Sequence, residues 1–241
     1  MINIVIPMAG LGSRFSKEGY KKPKPFIDVA GKPMIVRILE NLAYPDARYI
    51  LIARKEHLKM EKELVKSISS AYKVEFISID QVTQGTACTV LFARSYINNS
   101  IPLVVANSDQ IIDIDFKKYV DDCLDKRLDG SILTFKDVTK DPKWSFARVD
   151  KEGFVIEVRE KEAISDQATV GIYMFSKGQM FVDGAIDMII HNDKVNNEFY
   201  TCPIYNYAIH CGRKIGLYEI KPELMHGIGT PEDLNNYLKI L

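Results

Sequence analysis

The sequence predicts an α/β fold, doubly wound around a mostly parallel sheet, and three observations carry that reading. Largely apolar runs recur at Ile2–Ile6, Tyr49–Ala53, Val74–Ile79 and Leu103–Ala106. Runs of that length without alternation suit strands covered on both faces. Segments of helical spacing at Pro33–Tyr44 and Lys55–Ser70, and a shorter one at Thr86–Ala93, fall between them. The first run leads into Pro7-Met8-Ala9-Gly10-Leu11-Gly12-Ser13-Arg14, a glycine-rich loop at the end of a strand, where sheets of this kind gather their ligands.

Each element has a local reason. Pro33 opens the first helical segment at a position where its missing N–H goes unused. Past residue 115 the pattern changes. Phe146–Val149 and Phe154–Val158 flank the turn-rich Asp150-Lys151-Glu152-Gly153, which predicts a β-hairpin. Thr169–Phe175 and Lys214–Ile220 read as further strands, and Gly178–His191, Pro203–His210 and Pro231–Leu241 have helical spacing. No low-complexity linker separates the two halves, so residues 1–241 read as a single domain.

Composition narrows the function classes. Thirty-two basic residues balance thirty-two acidic ones, which removes the electrostatic footprint expected of a nucleic-acid or membrane-surface binder. No apolar run approaches bilayer length and no signal-type segment opens the chain, so the expectation is a cytoplasmic protein of open oligomeric state. Cys88, Cys123, Cys202 and Cys211 are scattered without a Cys-x-x-Cys pair, a pattern that fits core thiols rather than a zinc site or disulfide framework.

The glycine loop reads as an anion cradle. Gly10 and Gly12 let the backbone turn, Ala9 and Ser13 flank them, and Arg14 and Lys24 add positive charge. A dinucleotide fingerprint needs a third glycine and a later acid, and a P-loop needs Gly-Lys-Ser/Thr; neither is present. The order found instead is strand, Gly-x-Gly-x-Arg, Pro23-Lys24-Pro25, then Gly31-Lys32-Pro33-Met34. It resembles the signature of the sugar-nucleotidyltransferase family, the nucleotide-sugar pyrophosphorylases and related cytidylyltransferases.

That resemblance implies a Rossmann-like nucleotidyltransferase fold, with a nucleotide-binding half over 1–115 and a hairpin-containing acceptor half over 116–241. Later segments match in family order. Gln81-Val82-Thr83-Gln84-Gly85-Thr86-Ala87 looks like the stretch that grips the base, with Gln81, Gly85 and Thr86 as contacts; a side-chain amide complements a pyrimidine edge. Asn107-Ser108-Asp109 ends the fourth strand, and Asp109 takes the place of the family's magnesium-binding Asp, a hard oxygen donor suited to Mg²⁺ beside phosphates. Glu160-Lys161 resembles the pair that meets the acceptor phosphate, and Gly171-Ile172-Tyr173 resembles the acceptor-binding strand. Asn197-Glu198-Phe199-Tyr200 resembles an acceptor-pocket segment with Asn197 in place of glycine; Glu198 reads either as an acceptor contact or as a helix-opening acid.

Gly229-Thr230-Pro231 matches the last motif, with Thr230 as cap. The chain departs from the sugar-1-phosphate enzymes at Gly227, where they carry a second metal-binding Asp. Either Asp109 and the phosphates hold Mg²⁺ alone, or another acid substitutes, or His226 contributes. No hexapeptide repeat follows, so no acyltransferase extension is expected.

The implied reaction moves a nucleoside monophosphate from a nucleoside triphosphate, CTP or UTP by preference, to a small phosphorylated acceptor such as a sugar phosphate. Pyrophosphate leaves, and the product is a precursor for surface polysaccharide. Arg14, Lys24 and Lys161 would supply the charge, and Asn107, Glu160, Gly171 and Glu198 the acceptor contacts. Two rivals stand: a non-catalytic nucleotide- or sugar-phosphate-binding regulatory relative, which Gly227 favours, and a glycosyltransferase using Asp113-Ile114-Asp115.

Overall fold

Alternate residues of the first strand go to opposite sides of the sheet. In the computed structural model, which describes Met1–Leu241, β1 (Ile2–Pro7) sends Ile2, Ile4 and Ile6 into one core and Val5 into the other. The same alternation holds in β4 (Ala47–Arg54), with Tyr49, Leu51 and Ala53 against Ile50 and Ile52, and in β6 (Leu103–Ala106). A largely apolar run is therefore a strand with helices on both sides, as predicted. One core is covered by α2 (Met34–Asn41), α4 (Lys62–Tyr72), α7 (Phe116–Asp125) and α10 (Pro231–Leu238). The other is covered by α5 (Thr86–Val90), α6 (Arg94–Ile97), α8 (Gly178–Ile190) and α9 (Ile204–His210).

β1 pairs in parallel with β4 on one side and with β6 on the other, and β4 continues in parallel to β5 (Val74–Ile79). The sheet then crosses to the second half through β11 (Gln167–Phe175), antiparallel to both β6 and β8 (Gly130–Lys136); β8 runs parallel to β12 (Ile215–Ile220). The predicted hairpin is β9 (Ser145–Val149) with β10 (Val155–Glu160), joined to β11 at Ala168. Strand order reverses between β1 and β6, so a crevice opens beyond their carboxyl ends, at residues 7–13 and 107–109.

Several local expectations shift. Helix Lys55–Ser70 is broken at Glu61 into α3 (Lys55–Met60) and α4, and Pro33 is the cap of α2 rather than its first turn, at ψ 143°. β8 has no counterpart among the predicted strands because Ser131 and Thr134 interrupt its apolar residues. Both are buried, and the Ser131 carbonyl accepts from the hydroxyls of Tyr119 (2.7 Å) and Tyr205 (3.1 Å). Cys123 and Cys202 lie in the cores and Cys88 is half-buried, but Cys211 is exposed, since it follows the last turn of α9. Asp115 caps α7 through the Lys117 N–H (3.0 Å).

The short elements matter for the crevice. α1 (Ser13–Lys17) follows the glycine loop, and β2 (Asp28–Val29) with β3 (Lys32–Pro33) form a small ribbon before α2. β7 (Gln110–Ile112) pairs antiparallel with β13 (Met225–Gly227), placing Gly227 opposite Gln110, and the Ile228 N–H donates to the Asp109 carbonyl at 2.8 Å. The Asn41 side chain of α2 closes this ribbon, donating to the Ile112 carbonyl (2.8 Å) and accepting from the Ile112 N–H (2.9 Å). Asn41→Ala strips both partners from a buried residue and is expected to cost about 2 kcal/mol. Urea unfolding with an unchanged m-value is the check.

Candidate active site

The crevice holds a cleft of about 440 Å³. The glycine loop supplies Ala9, Gly10, Gly12, Ser13 and Arg14 to its wall, and Lys24, Asn107 and Asp109 face them. Gly85, Thr86 and Glu198 complete the predicted set that meets there. Four predicted residues do not line it: Gln81, Glu160, Lys161 and Gly171.

The loop turns at Gly12. At φ +61° this residue caps α1, and its carbonyl accepts from the N–H groups of Phe15 (3.0 Å) and Ser16 (3.2 Å). Phe15 is buried against Tyr20, edge to face at 5.1 Å, which anchors the short helix. Gly10 has no positive φ, and a Cβ there would meet nothing within 4 Å. The expectation that both glycines make the turn is thus corrected: Gly12 bends the chain, and Gly10 leaves space.

Lys24 stands on a single 3₁₀ turn, Lys24–Phe26, started by Pro23 and rooted by buried Phe26. Its Nζ lies 2.5 Å from Asp109 Oδ2, an ion pair across the cleft between residues 85 positions apart. Gly229 permits that approach, since a Cβ there would lie 2.8 Å from the same carboxylate oxygen. The donor set fits a hard divalent cation: one carboxylate, with room in the cleft for phosphate and water oxygens. Position 227 adds no side-chain donor. The nearest atom to a Cβ at Gly227 is Asp233 Cγ at 3.9 Å, but Asp233 accepts from the Thr230 hydroxyl (2.6 Å) in the cap of α10. His226 Nε2 is engaged by Asp113 Oδ2 at 2.7 Å. Both alternatives for a second ligand are therefore committed elsewhere.

Gln81 is exposed and outside the cleft, contrary to its predicted place on the base. The reason is local. The Thr83 hydroxyl bonds to the Gly85 carbonyl (2.9 Å) and to the Thr89 hydroxyl (2.6 Å), folding the loop inward on its threonines. Val82, Thr83, Thr86 and Thr89 form the wall instead. Gly85, at φ +109°, lies so close to the next segment that a Cβ would sit 2.4 Å from the Phe199 carbonyl oxygen. Around it the Phe199 N–H donates to the Gln84 carbonyl (2.8 Å) and the Ala87 N–H to the Phe199 carbonyl (3.0 Å).

The acceptor-side residues reach the cleft through Tyr200. Lys161 follows β10 at φ +57°, its N–H donating to the Trp144 carbonyl (3.1 Å), and its Nζ donates to the Tyr200 hydroxyl at 2.6 Å. That hydroxyl donates in turn to Glu198. Glu160 points away, accepting from the Ser145 hydroxyl; burial, and after it the Glu198 charge, raise its pKa. Gly171 is buried behind Asn107, whose N–H donates to its carbonyl (2.9 Å); a Cβ on Gly171 would lie 2.3 Å from Asn107 Nδ2. It shapes the cleft from behind rather than touching what enters.

Asn197 in place of glycine is explained by the backbone. Asn196 and Asn197 both have positive φ, +50° and +63°, in a tight turn closed by reciprocal 3.0 Å hydrogen bonds between Val195 and Glu198. Asparagine tolerates this conformation better than any other residue with a side chain of its size. Trp144 packs edge to face on Phe135 at 5.3 Å, as core rather than as a sugar platform. Sequence reasoning missed Thr83, Thr89 and Gly229 as wall residues, and Tyr200, whose neighbourhood to two charged side chains is visible only in three dimensions.

A glycine loop, a strand-end acid and a lysine meet at the switch point of a doubly wound sheet, the arrangement of a ligand-binding α/β protein. The class is narrowed by comparison with known proteins. The family model described as nucleotidyl transferase matches residues 4–200, and the chain belongs to that family. The catalytic subunit beta of mannose-1-phosphate guanylyltransferase from Drosophila pseudoobscura pseudoobscura is 32% identical over 177 residues, 71% of this chain and 47% of that protein. The bifunctional protein GlmU of Methanocaldococcus jannaschii is 24% identical over 246 residues, 95% of this chain and 56% of that protein. The chain thus spans about half the length of these curated relatives. A nucleoside-diphosphate-sugar pyrophosphorylase structure from Vibrio cholerae RC9 shares the fold at a TM-score of 0.83, with 24% identity, over 98% of this chain and 99% of that one. No helix is long and apolar enough to cross a membrane.

The close approach at Gly85 yields a test. Gly85→Ala forces a methyl group into the Phe199 backbone and is expected to weaken nucleoside triphosphate binding at least about tenfold, a little over 1 kcal/mol. Titration calorimetry of the folded variant with CTP and UTP measures it.

Proposed function

We propose that this protein transfers a nucleoside monophosphate from a nucleoside triphosphate to a small phosphorylated acceptor, releasing pyrophosphate. The observation that carries the reading is a cleft with Arg14 and Lys24 beside the glycine loop, and with Tyr200 in its wall tied to Lys161 just outside it. An acceptor phosphate oxygen attacks the α-phosphorus in line, a new P–O bond forms, and the bond to pyrophosphate breaks. The acceptor is already ionised at neutral pH, so no general base is needed. The work of the chain is positioning and charge neutralisation.

Gly12 and the first turn of α1 orient the triphosphate, with Arg14 beside it. Lys24 leaves Asp109 for the phosphates as they enter, and Lys161 offsets the acceptor dianion, letting two anions approach. Asp109 would hold a Mg²⁺ ion, which would supply further stabilisation of charge on the leaving group. Asn107, with Gly171 behind it, and Glu198 border the acceptor, and Glu160 supports that end from the Ser145 side. The base faces Val82, Thr83 and Thr86. Met8 lies in the same wall, and its long thioether narrows the space there, which favours a pyrimidine, CTP or UTP, over the guanine named for the mannose-1-phosphate relatives. The product belongs with activated precursors for surface polysaccharide made in the cytoplasm.

Pyrophosphate release from the four nucleoside triphosphates and dTTP, against a panel of hexose 1-phosphates and phosphorylated alcohols with Mg²⁺, tests the reading. Nucleotide binding without turnover of any acceptor supports the non-catalytic alternative. In an active protein, Lys24→Ala is expected to lower turnover about 10²-fold, the scale of a charge lost from a desolvated site. Asp109→Asn is expected to abolish activity that added Mg²⁺ does not restore. Calorimetry is expected to rank CTP and UTP above ATP and GTP, and a tighter purine overturns the base assignment.

A further inference from the structure

Three side chains at the far end of the cleft form one hydrogen-bonded chain. Lys161 Nζ donates to the Tyr200 hydroxyl at 2.6 Å, and the Tyr200 hydroxyl donates to Glu198. The ammonium also lies 4.6 Å from the centre of the Tyr200 ring, within the range of a cation–π contact. Burial and the neighbouring Glu198 carboxylate hold the phenol well above its usual range, so it stays protonated and donates toward Glu198 while its lone pair takes the lysine.

Neither charged residue is fixed by anything else. Lys161 has no ion pair and Glu198 has no second side-chain partner. Their backbones are held in place, Lys161 at φ +57° and Glu198 by its reciprocal 3.0 Å hydrogen bonds with Val195 after two positive-φ asparagines, so both side chains are aimed from fixed points toward the same phenol. Tyr200 itself is set by Phe199, whose backbone is bonded on both sides to residues 84 and 87.

We propose that Tyr200 is the positioning residue of the acceptor end: its hydroxyl fixes the spacing between the Lys161 ammonium and the Glu198 carboxylate. A phosphate and a hydrogen-bond donor on the acceptor are then read together, at one separation. This rests on the transferase reading, but the role of the hydroxyl is testable apart from it. Tyr200→Phe keeps the ring and the cation–π contact and removes the shared oxygen.

Two measurements apply to the folded variant, with circular dichroism as the check on folding. The first is competitive acetylation by acetic anhydride read by mass spectrometry, with Lys151 in the exposed hairpin turn as reference. Loss of a hydrogen bond of about 1 kcal/mol is expected to raise Lys161 labelling about fivefold relative to Lys151. The second uses whichever of mannose 1-phosphate, N-acetylglucosamine 1-phosphate and glycerol 3-phosphate the parent protein turns over fastest. The acceptor KM is expected to rise about tenfold, with kcat and the nucleotide KM little changed, the pattern of lost ground-state positioning. Unchanged Lys161 labelling overturns the proposal, as does an equal rise in both KM values, which marks a general loosening of the cleft. If the parent protein turns over none of these acceptors, the transferase reading fails, and the labelling result still decides the role of Tyr200.

Discussion

A strand whose two faces are both buried can meet solvent only at its ends, and β1 is such a strand. It is flanked by β4 and β6 and covered above and below by helices. The geometry leaves its carboxyl end as the place where side chains and backbone N–H groups face outward together. The glycine loop follows from that constraint, because the chain must leave the sheet sharply to begin α1, and Gly12 takes the left-handed conformation that permits it. The β7–β13 ribbon closes the same crevice from the β6 side and brings Gly229 down over Asp109.

Within this frame two lysines have partners, while Arg14 stands exposed at the glycine loop without one. Lys24 rests on Asp109 at the nucleotide side, and Lys161 rests on the Tyr200–Glu198 couple at the acceptor side. A desolvated cation without a partner is expensive, so a cleft meant for polyanions needs somewhere to keep its lysines before the anions arrive. Asp109 is that resting partner for Lys24.

Much of the fold was legible because burial on both faces leaves a mark: β1, β4 and β6 fall on largely apolar runs, and β5, the partly exposed edge strand, falls on the remaining one. β8 was hidden by Ser131 and Thr134, polar residues whose burial depends on partners far away in the chain. The break at Glu61 was hidden as well, since the apolar spacing runs through it. At the site, the glycine loop was legible from its place after a strand, and Lys24 and Asp109 from the resemblance to the family's motifs; the structure brings Gly12, Lys24 and Asp109 to one cleft. Gln81 was misplaced because a short-range threonine network, not the identity of the amide, decides which way that loop faces. Gly171 was assigned to the acceptor when its close approach serves Asn107.

The backbone lacing between residues 84–87 and Phe199 bears on how such a protein diversifies. The segment that meets the base and the segment that carries Glu198 and Tyr200 share main-chain hydrogen bonds, with Gly85 pressed against the Phe199 carbonyl. Drift in one segment is therefore transmitted to the other as a change in backbone position, whatever the side chains are. A chimera that imports the 195–201 turn from a relative also inherits that relative's demand on residues 84–87. Exchanges of loop sequence in this scaffold therefore involve the two segments as one unit.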